Sequence, residues 1–294
     1  MIMDDDRIEA LLAEGTATDD WERLQDIAIE LTHRDTAVAF PLAARMLSSG
    51  AEGGVALGGE LIEATPKTRF VEDDDGSGYF VEDGPTFDEA QRAVLIPLVA
   101  ERMATAGELA AVSLLRASWR LVDAALLGPV LALAGHPSAE VRNMVAVTLP
   151  GFAVEFEDDP RIDAALLRLA RDEDGDVVDW AIFGLGVNHG DAPLATPEAR
   201  ALFAANVDHE HEGVRDEART ALALLGNVEY LEDCLYAEDE DDARRTRADF
   251  VTAAGRTGDP RLHASLVTLR DLGWADCPFH ETELAAALEA TRPR

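Results

Sequence analysis

Four times in the C-terminal half of this chain, a residue pair is followed by small or apolar side chains four and eight positions later. Val141-Arg142 leads to Val145 and Leu149, and Val177-Val178 to Ala181 and Leu185. Val214-Arg215 leads to Ala218, Leu222 and Gly226, and Thr246-Arg247 to Phe250, Ala254 and Gly258. Spacing of +4 and +8 lays side chains along one face of an α-helix. The starts at 141, 177, 214 and 246 lie 36, 37 and 32 residues apart, so the helix recurs as a unit. Ahead of each ladder comes an acidic or Pro/Gly-bearing turn: 136–140, 172–176, 208–213 and 238–242. Ahead of each turn comes another amphipathic segment: Leu121 to Ala134, Ile162 to Arg171, Pro197 to Val207, and Val228 to Ala237. The unit is helix, turn, helix. Neither helix can bury its apolar stripe alone, so neighbouring units must share a core. The expected fold is all-α, an α-solenoid of stacked antiparallel helix pairs.

This unit resembles the HEAT repeat, including its phycobilisome-lyase-like relatives. The resemblance rests on the turn, the Val-Arg step, the Ala/Leu ladder and the closing Gly-Asn or Gly-Asp, as in Val214 to Asn227 and Thr246 to Asp259. It covers residues 108–272 well and the N-terminal third more weakly. The stretch Val177 to Gly186 resembles a Val-Arg-Asp-Trp-Ala-x-Phe-Gly-Leu-Gly segment of bacterial HEAT-repeat proteins, with Val178 in the place of the arginine. The resemblance implies a superhelix whose second helices line the concave face. It also implies that Arg142, Arg215 and Arg247 pair with acids of adjacent turns. A shared repeat fold says little about activity.

The N-terminal third reads as helices over Asp4–Glu14, Thr18–His33 with Thr18 as N-cap, Thr36–Ser48 and Glu52–Ala64, the last weakened by Gly53, Gly54, Gly58 and Gly59. Asp88–Thr105 and Glu108–Trp119 follow, and His280–Thr291 reads as a terminal cap. Trp21, Trp119 and Trp274 read as core or cap residues. The segment between Pro66 and Pro85 breaks the pattern. Its apolar islands Phe70-Val71 and Tyr79-Phe80-Val81 flank an Asp-Gly turn, the signature of an inserted hairpin or loop. The expected organisation is residues 1–65 as helical repeats, 66–87 as the insertion, and 88–294 as further repeats of one continuous solenoid.

Asp plus Glu total 58 against 25 Lys plus Arg, a formal net charge of -33. Such a chain repels phosphate backbones and anionic lipid surfaces, which argues against nucleic acid and membrane as partners. Lys67 is the single lysine. GC-rich coding produces that bias, and it also resembles proteins of high-salt cytoplasms. Cys234 and Cys277 have no CxxC spacing and read as reduced thiols of a cytoplasmic protein. The Met1 to Asp6 start lacks the features of a secretion signal.

Two segments carry residue types that ligate metals. Asp73, Asp75 and Ser77, with Gly78, resemble the front of an EF-hand loop, but its twelfth position is Gly84 rather than a bidentate Glu. His209-Glu210-His211-Glu212, with His189, offers imidazoles and carboxylates in a turn. Deoxyhypusine hydroxylase, a HEAT-repeat enzyme, binds iron through His-Glu pairs in its second helices. The corresponding places here, Asn143-Met144, Asp216-Glu217 and Ala248-Asp249, hold none. HEAT-like DNA glycosylases need a basic groove, whereas Asp179, Asp216, Glu217 and Asp249 occupy that place here. Nucleophile-elbow, phosphate-loop and HExxH motifs are lacking.

The expectation is therefore a non-catalytic interaction module without a cofactor that binds a basic protein or peptide, an inhibitor or immunity-type protein being one such case. Trp180 and Phe183 are the expected apolar anchors, with Asp179, Asp216, Glu217 and Asp249 as the surrounding charge. The acidic turns at 172–176, 208–212 and 238–242 would steer such a partner. A metal-dependent enzyme using the His209–Glu212 turn or the Asp73–Gly78 loop is the first alternative. An assembly factor or chaperone for a cofactor-bearing protein is the second.

Overall fold

The structure, a computed structural model, describes residues 5–32, 38–65, 68–72, 78–82, 87–156, 159–187, 189, 192–275 and 278–293. They form two compact units, residues 1–162 and 163–294.

In the first unit, α1 (Asp5–Ala17), α2 (Trp21–Thr32), α3 (Ala39–Ser49) and α4 (Glu52–Glu63) precede a two-stranded hairpin. Strands β1 (Thr68–Glu72) and β2 (Gly78–Glu82) pair antiparallel, with Phe70 opposite Phe80. The expected insertion is therefore a hairpin. Next come α5 (Glu89–Met103), α6 (Glu108–Leu121), α7 (Ala124–Leu133) and α8 (Ala139–Glu155). Helices α3, α5 and α7 pack in one layer, and α2, α4, α6 and α8 pack successively in the other.

The glycines of α4 explain its place at the centre of this unit. A Cβ at Gly53 would collide with the Thr16 carbonyl of α1. At Gly58 it would lie 2.9 Å from Leu47 Cγ of α3, and at Gly59 2.7 Å from the Ser113 backbone of α6. Lacking a Cβ, α4 approaches three neighbours more closely than an alanine helix could. Glu52 adds a tie by accepting hydrogen bonds from Gly107 N (3.1 Å) and Ala110 N (3.2 Å) at the start of α6.

After α9 (Pro160–Leu169), the second unit contains α10 (Gly175–Gly186), α11 (Pro197–Asn206), α12 (Glu212–Leu224), α13 (Glu229–Cys234), α14 (Glu240–Arg245) and α15 (Ala248–Thr257). A 3-10 turn (Pro260–Leu262) leads to α16 (His263–Asp271) and α17 (Pro278–Ala290). Helices α10, α12, α15 and α17 pack side by side in that order.

The ladder residues meet the expected burial. Val141, Val145, Leu149, Val177, Ala181, Leu185, Val214, Ala218 and Ala254 are fully enclosed, and Leu222 and Phe250 nearly so. Each buried Leu or Val contributes roughly 1.5–3 kcal/mol of transfer free energy. The closing glycines have a backbone reason. Gly226 has φ 104° and Gly258 has φ 60°, left-handed values that favour glycine.

Three details depart from the sequence reading. Helix α2 starts two residues later than expected: Asp20 accepts from Arg23 N (3.2 Å), while Thr18 accepts from Asp20 N (3.1 Å). The acidic run 238–242 is no simple turn, because Asp239 accepts from Asp241 N and Asp242 N and caps the short helix α14. Trp119 is 51% exposed rather than core. Its ring lies along α8, where the absence of a Cβ on Gly151 admits it. Trp274 is buried as expected and donates to the Thr246 carbonyl (2.8 Å).

Candidate interaction face on α10, α12 and α15

The expected face lies on consecutive second helices of the second unit. Glycines in the first turns of α10 and α12 let these helices dock. A Cβ at Gly175 would lie 2.9 Å from the His211 ring, and one at Gly213 would lie 2.7 Å from Asp179 Cγ. Each repeat thus pushes a side chain against the helix start of its neighbour.

The acidic turns are mostly capping devices. Asp174 accepts from Asp176 N and Val177 N at the head of α10. His211 Nδ1 accepts from Val214 N (3.4 Å) at the head of α12. An oxygen or nitrogen acceptor here satisfies amides that have no partner within the helix.

Arg247, at the N-cap of α15, gathers the carboxylates. Its Nη2 donates to Glu217 Oε1 (2.6 Å) and Asp249 Oδ2 (2.8 Å), and its Nη1 lies 3.6 Å from Asp216 Oδ2. The guanidinium also rests 5.6 Å from the centre of the Phe250 ring. Burial opposes its charge, but hydrogen bonds and attraction from Asp249 and Glu217 outweigh this and hold its pKa above the usual arginine range. Burial raises Glu217 to about 7, against the pull of Arg247. Burial also raises Asp216, against Arg247 and Arg215, and Asp179, against His211 and Arg247. Glu217 Oε2 is buried without a hydrogen-bond partner.

The six expected contact residues therefore divide. Trp180 is 40% exposed and meets Phe183 edge to face, with ring centres 5.6 Å apart. Phe183 and Asp179 are half-buried, and Asp249 is exposed. Asp216 and Glu217 are buried, because α12 has α10 on one side and α15 on the other. They brace the frame instead of forming part of its open charge. That Arg247 pairs with acids was expected; that they are Asp216 and Glu217 of α12 and Asp249 of α15, rather than acids of an adjacent turn, was not.

Arg215 departs from a simple acid ladder, and Arg142 also binds carbonyls of its own turn. Arg215 Nη1 donates to the His209 carbonyl (3.4 Å) and its Nε lies 3.8 Å from Asp216. Arg142 Nη1 donates to the His136 and Pro137 carbonyls, both at 3.0 Å.

Among the weak metal candidates, both ring nitrogens of His211 are engaged, since Nε2 meets Asp176 Oδ1 at 3.1 Å. His209 Nδ1 accepts from His211 N (3.1 Å), and His189 meets Asp163 (2.9 Å). Asp73, Asp75 and Ser77 lie outside the described residues. Among the described residues, no three of His, Cys, Asp and Glu are grouped to hold one ion. The Cys234 thiol is raised to about 11, first by burial and then by the Asp216 charge, which keeps it protonated and unreactive at neutral pH. Among the described residues, no helix is long and apolar enough to cross a membrane.

No family model and no curated protein matches this chain. Among solved structures, YibA of Escherichia coli is similar at 17% identity with a TM-score of 0.60, over 99% of this chain and 93% of YibA. Two engineered proteins align at 16% and 13% identity, each with a TM-score of 0.31; the alignments cover 99% and 98% of this chain, and 97% and 89% of theirs. The likeness to YibA concerns the fold, and together with the two layers of paired helices it makes this chain a helical repeat protein.

Proposed function

We propose that this chain is a non-catalytic interaction module of the HEAT-like type, and that α10, α12 and α15 receive a basic protein or peptide. The observation that carries this reading is the open Trp180–Phe183 pair on the same run of helices as Asp179 and Asp249. Half-exposed aromatics supply large contact area at low entropic cost, and interface anchors are enriched in Trp. Asp249 is exposed and Asp179 half-buried beside them, while Asp216 and Glu217 are buried against Arg247, so the excess negative charge open to a partner is that of Asp179 and Asp249. That excess suits a partner carrying lysines or arginines, including the basic cleft of an enzyme to be inhibited.

The test is affinity capture from a lysate of the source cells, comparing the wild type with Trp180→Ala combined with Asp249→Asn. Both side chains are exposed, so the melting temperature of the variant is expected to stay within a few degrees of wild type. The wild type is expected to retain a basic protein that the variant loses. Equal capture by both would remove the face from consideration.

A further inference from the structure

Twice within the fold, a guanidinium is held by an aromatic ring and carboxylates together. In the first unit, Arg116 lies 5.2 Å from the centre of the Trp21 ring, with its Nε 3.6 Å from Glu60 Oε1 and its Nη2 3.7 Å from Glu63 Oε1. In the second unit, Arg247 rests against the Phe250 ring and donates to Glu217 and Asp249. Arg247 stands one place after the start of its ladder. It reaches back to Asp216 and Glu217, two and three places after the start of the ladder before.

The same register one repeat earlier sets Asp179 and Trp180 of α10 against Arg215 of α12. Arg215 does not make that contact, because it turns to the His209 carbonyl and toward Asp216. Among the described residues, Asp179 therefore has neither a hydrogen bond nor an ion pair. Burial, Asp176 and Asp216 oppose its charge, while His211 and Arg247 favour it. A second observation comes from Glu217, which is 4% exposed. Arg247 takes its Oε1, but Oε2 has no hydrogen-bond partner, and Asp179 is near enough for its charge to raise the Glu217 pKa further. A buried acceptor keeps its desolvation cost until a donor meets it. Beside these two acids stand the edge-to-face rings of Trp180 and Phe183, and no guanidinium of the described residues lies over either ring.

We infer that the α10–α12–α15 face receives an arginine side chain of its basic partner, seated on Trp180 with its guanidinium bridging Asp179 and Glu217. The inference rests on the proposed reading of this face and names the side chain that the face takes. A guanidinium is planar and forked, so it stacks on an indole while donating to two carboxylates, as Arg116 and Arg247 do with their own rings and acids. The compact, strongly hydrated lysine ammonium gains less from the ring and offers no fork. Asp249 already accepts from Arg247, which leaves Asp179 as the main open carboxylate for the incoming cation.

The test uses the full-length protein and three capped heptapeptides, acetyl-Gly-X-Gly-X-Gly-X-Gly-amide with X as arginine, lysine or citrulline. Calorimetry at low salt gives the affinities. The indole N–H resonances of protein labelled with ¹⁵N-tryptophan locate the site, with Trp180 assigned by Trp180→Phe. The arginine peptide is expected to shift the Trp180 resonance saturably. It should bind at least about threefold more tightly than the lysine peptide and about tenfold more tightly than the neutral citrulline peptide. Asp179→Asn should weaken arginine binding about fivefold or more, whereas Asp249→Asn, which removes the same charge, should cost less than about twofold. Trp180→Leu, at an exposed position, should abolish the preference for arginine over lysine. Arginine and lysine peptides binding equally, Asp179→Asn and Asp249→Asn costing the same, or a preference that survives Trp180→Leu would each overturn the arginine seat while leaving a basic partner on this face. Citrulline binding as tightly as arginine, or no shift at Trp180 with either charged peptide, would overturn the seat and the reading beneath it.

Discussion

Glu217 shows how a residue's surroundings outweigh its type. Its carboxylate is 4% exposed, touches one arginine, and leaves Oε2 without a hydrogen-bond partner. Burial raises its pKa from 4.5 to about 7, so the folded protein holds this proton more tightly than the unfolded chain. The stabilisation is therefore complete below about pH 4.5 and is lost as pH rises through 7. One pKa unit corresponds to about 1.4 kcal/mol, so the loss is of the order of 1–3 kcal/mol. Chemical denaturation between pH 4.5 and 8 should show this fall, and Glu217→Gln should flatten it, since glutamine can still accept from Arg247 but does not ionise. An unchanged slope in the variant would place the proton elsewhere. Asp216 and Glu217 were legible in the sequence as acids on a second helix. Their burial was not, because it depends on α15 closing over α12 and bringing Arg247 with it. Trp119 is the converse, a large apolar residue left 51% exposed along α8.

At the scale of elements, the ladder carried most of the legible information. Every helix with +4 and +8 spacing exists, and the residues at those two positions are buried. What the spacing could not fix was the set of ends. Asp20 rather than Thr18 caps α2, and Asp239 turns an acidic run into α14, because several adjacent oxygens compete for the same free amides. The four glycines of α4 read as a weakness by propensity alone, yet they determine how closely α4 meets α1, α3 and α6. Gly59→Ala should destabilise by about 1–3 kcal/mol, because its Cβ would meet Ser113 backbone that cannot yield. Gly128→Ala in α7 has open space around it and should be neutral or stabilising by about 0.5–1 kcal/mol. Paired urea titrations separate the two; equal effects would show that propensity rather than packing governs these glycines.

For the molecule as a whole, the net charge of -33 is explained partly by where its few cations go. Several arginines are turned inward onto helix ends. Arg92 donates to Leu121 O (2.6 Å) and Val122 O (3.0 Å), Arg102 to Leu47 O (2.8 Å), and Arg219 to Val207 O (2.8 Å). Such contacts satisfy carbonyls left free at the ends of helices. They leave much of the acidic surface uncompensated, so self-repulsion weakens the folded state at low ionic strength. Raising NaCl from about 0.05 to 0.5 M, which shortens the Debye length from about 14 to 4 Å, should raise the melting temperature. A flat or falling profile would show that the surface acids are already neutralised by their partners. The sequence revealed the charge and its sign but not this division of labour, because each arginine contact joins residues far apart in the chain. The same excess charge underlies the binding reading, and the most direct test is the affinity of the captured partner for this chain across that salt range. The dissociation constant should rise at least about tenfold with salt, and Asp249→Asn should reduce that dependence. An affinity indifferent to salt, with Asp249→Asn and wild type binding alike, would contradict it.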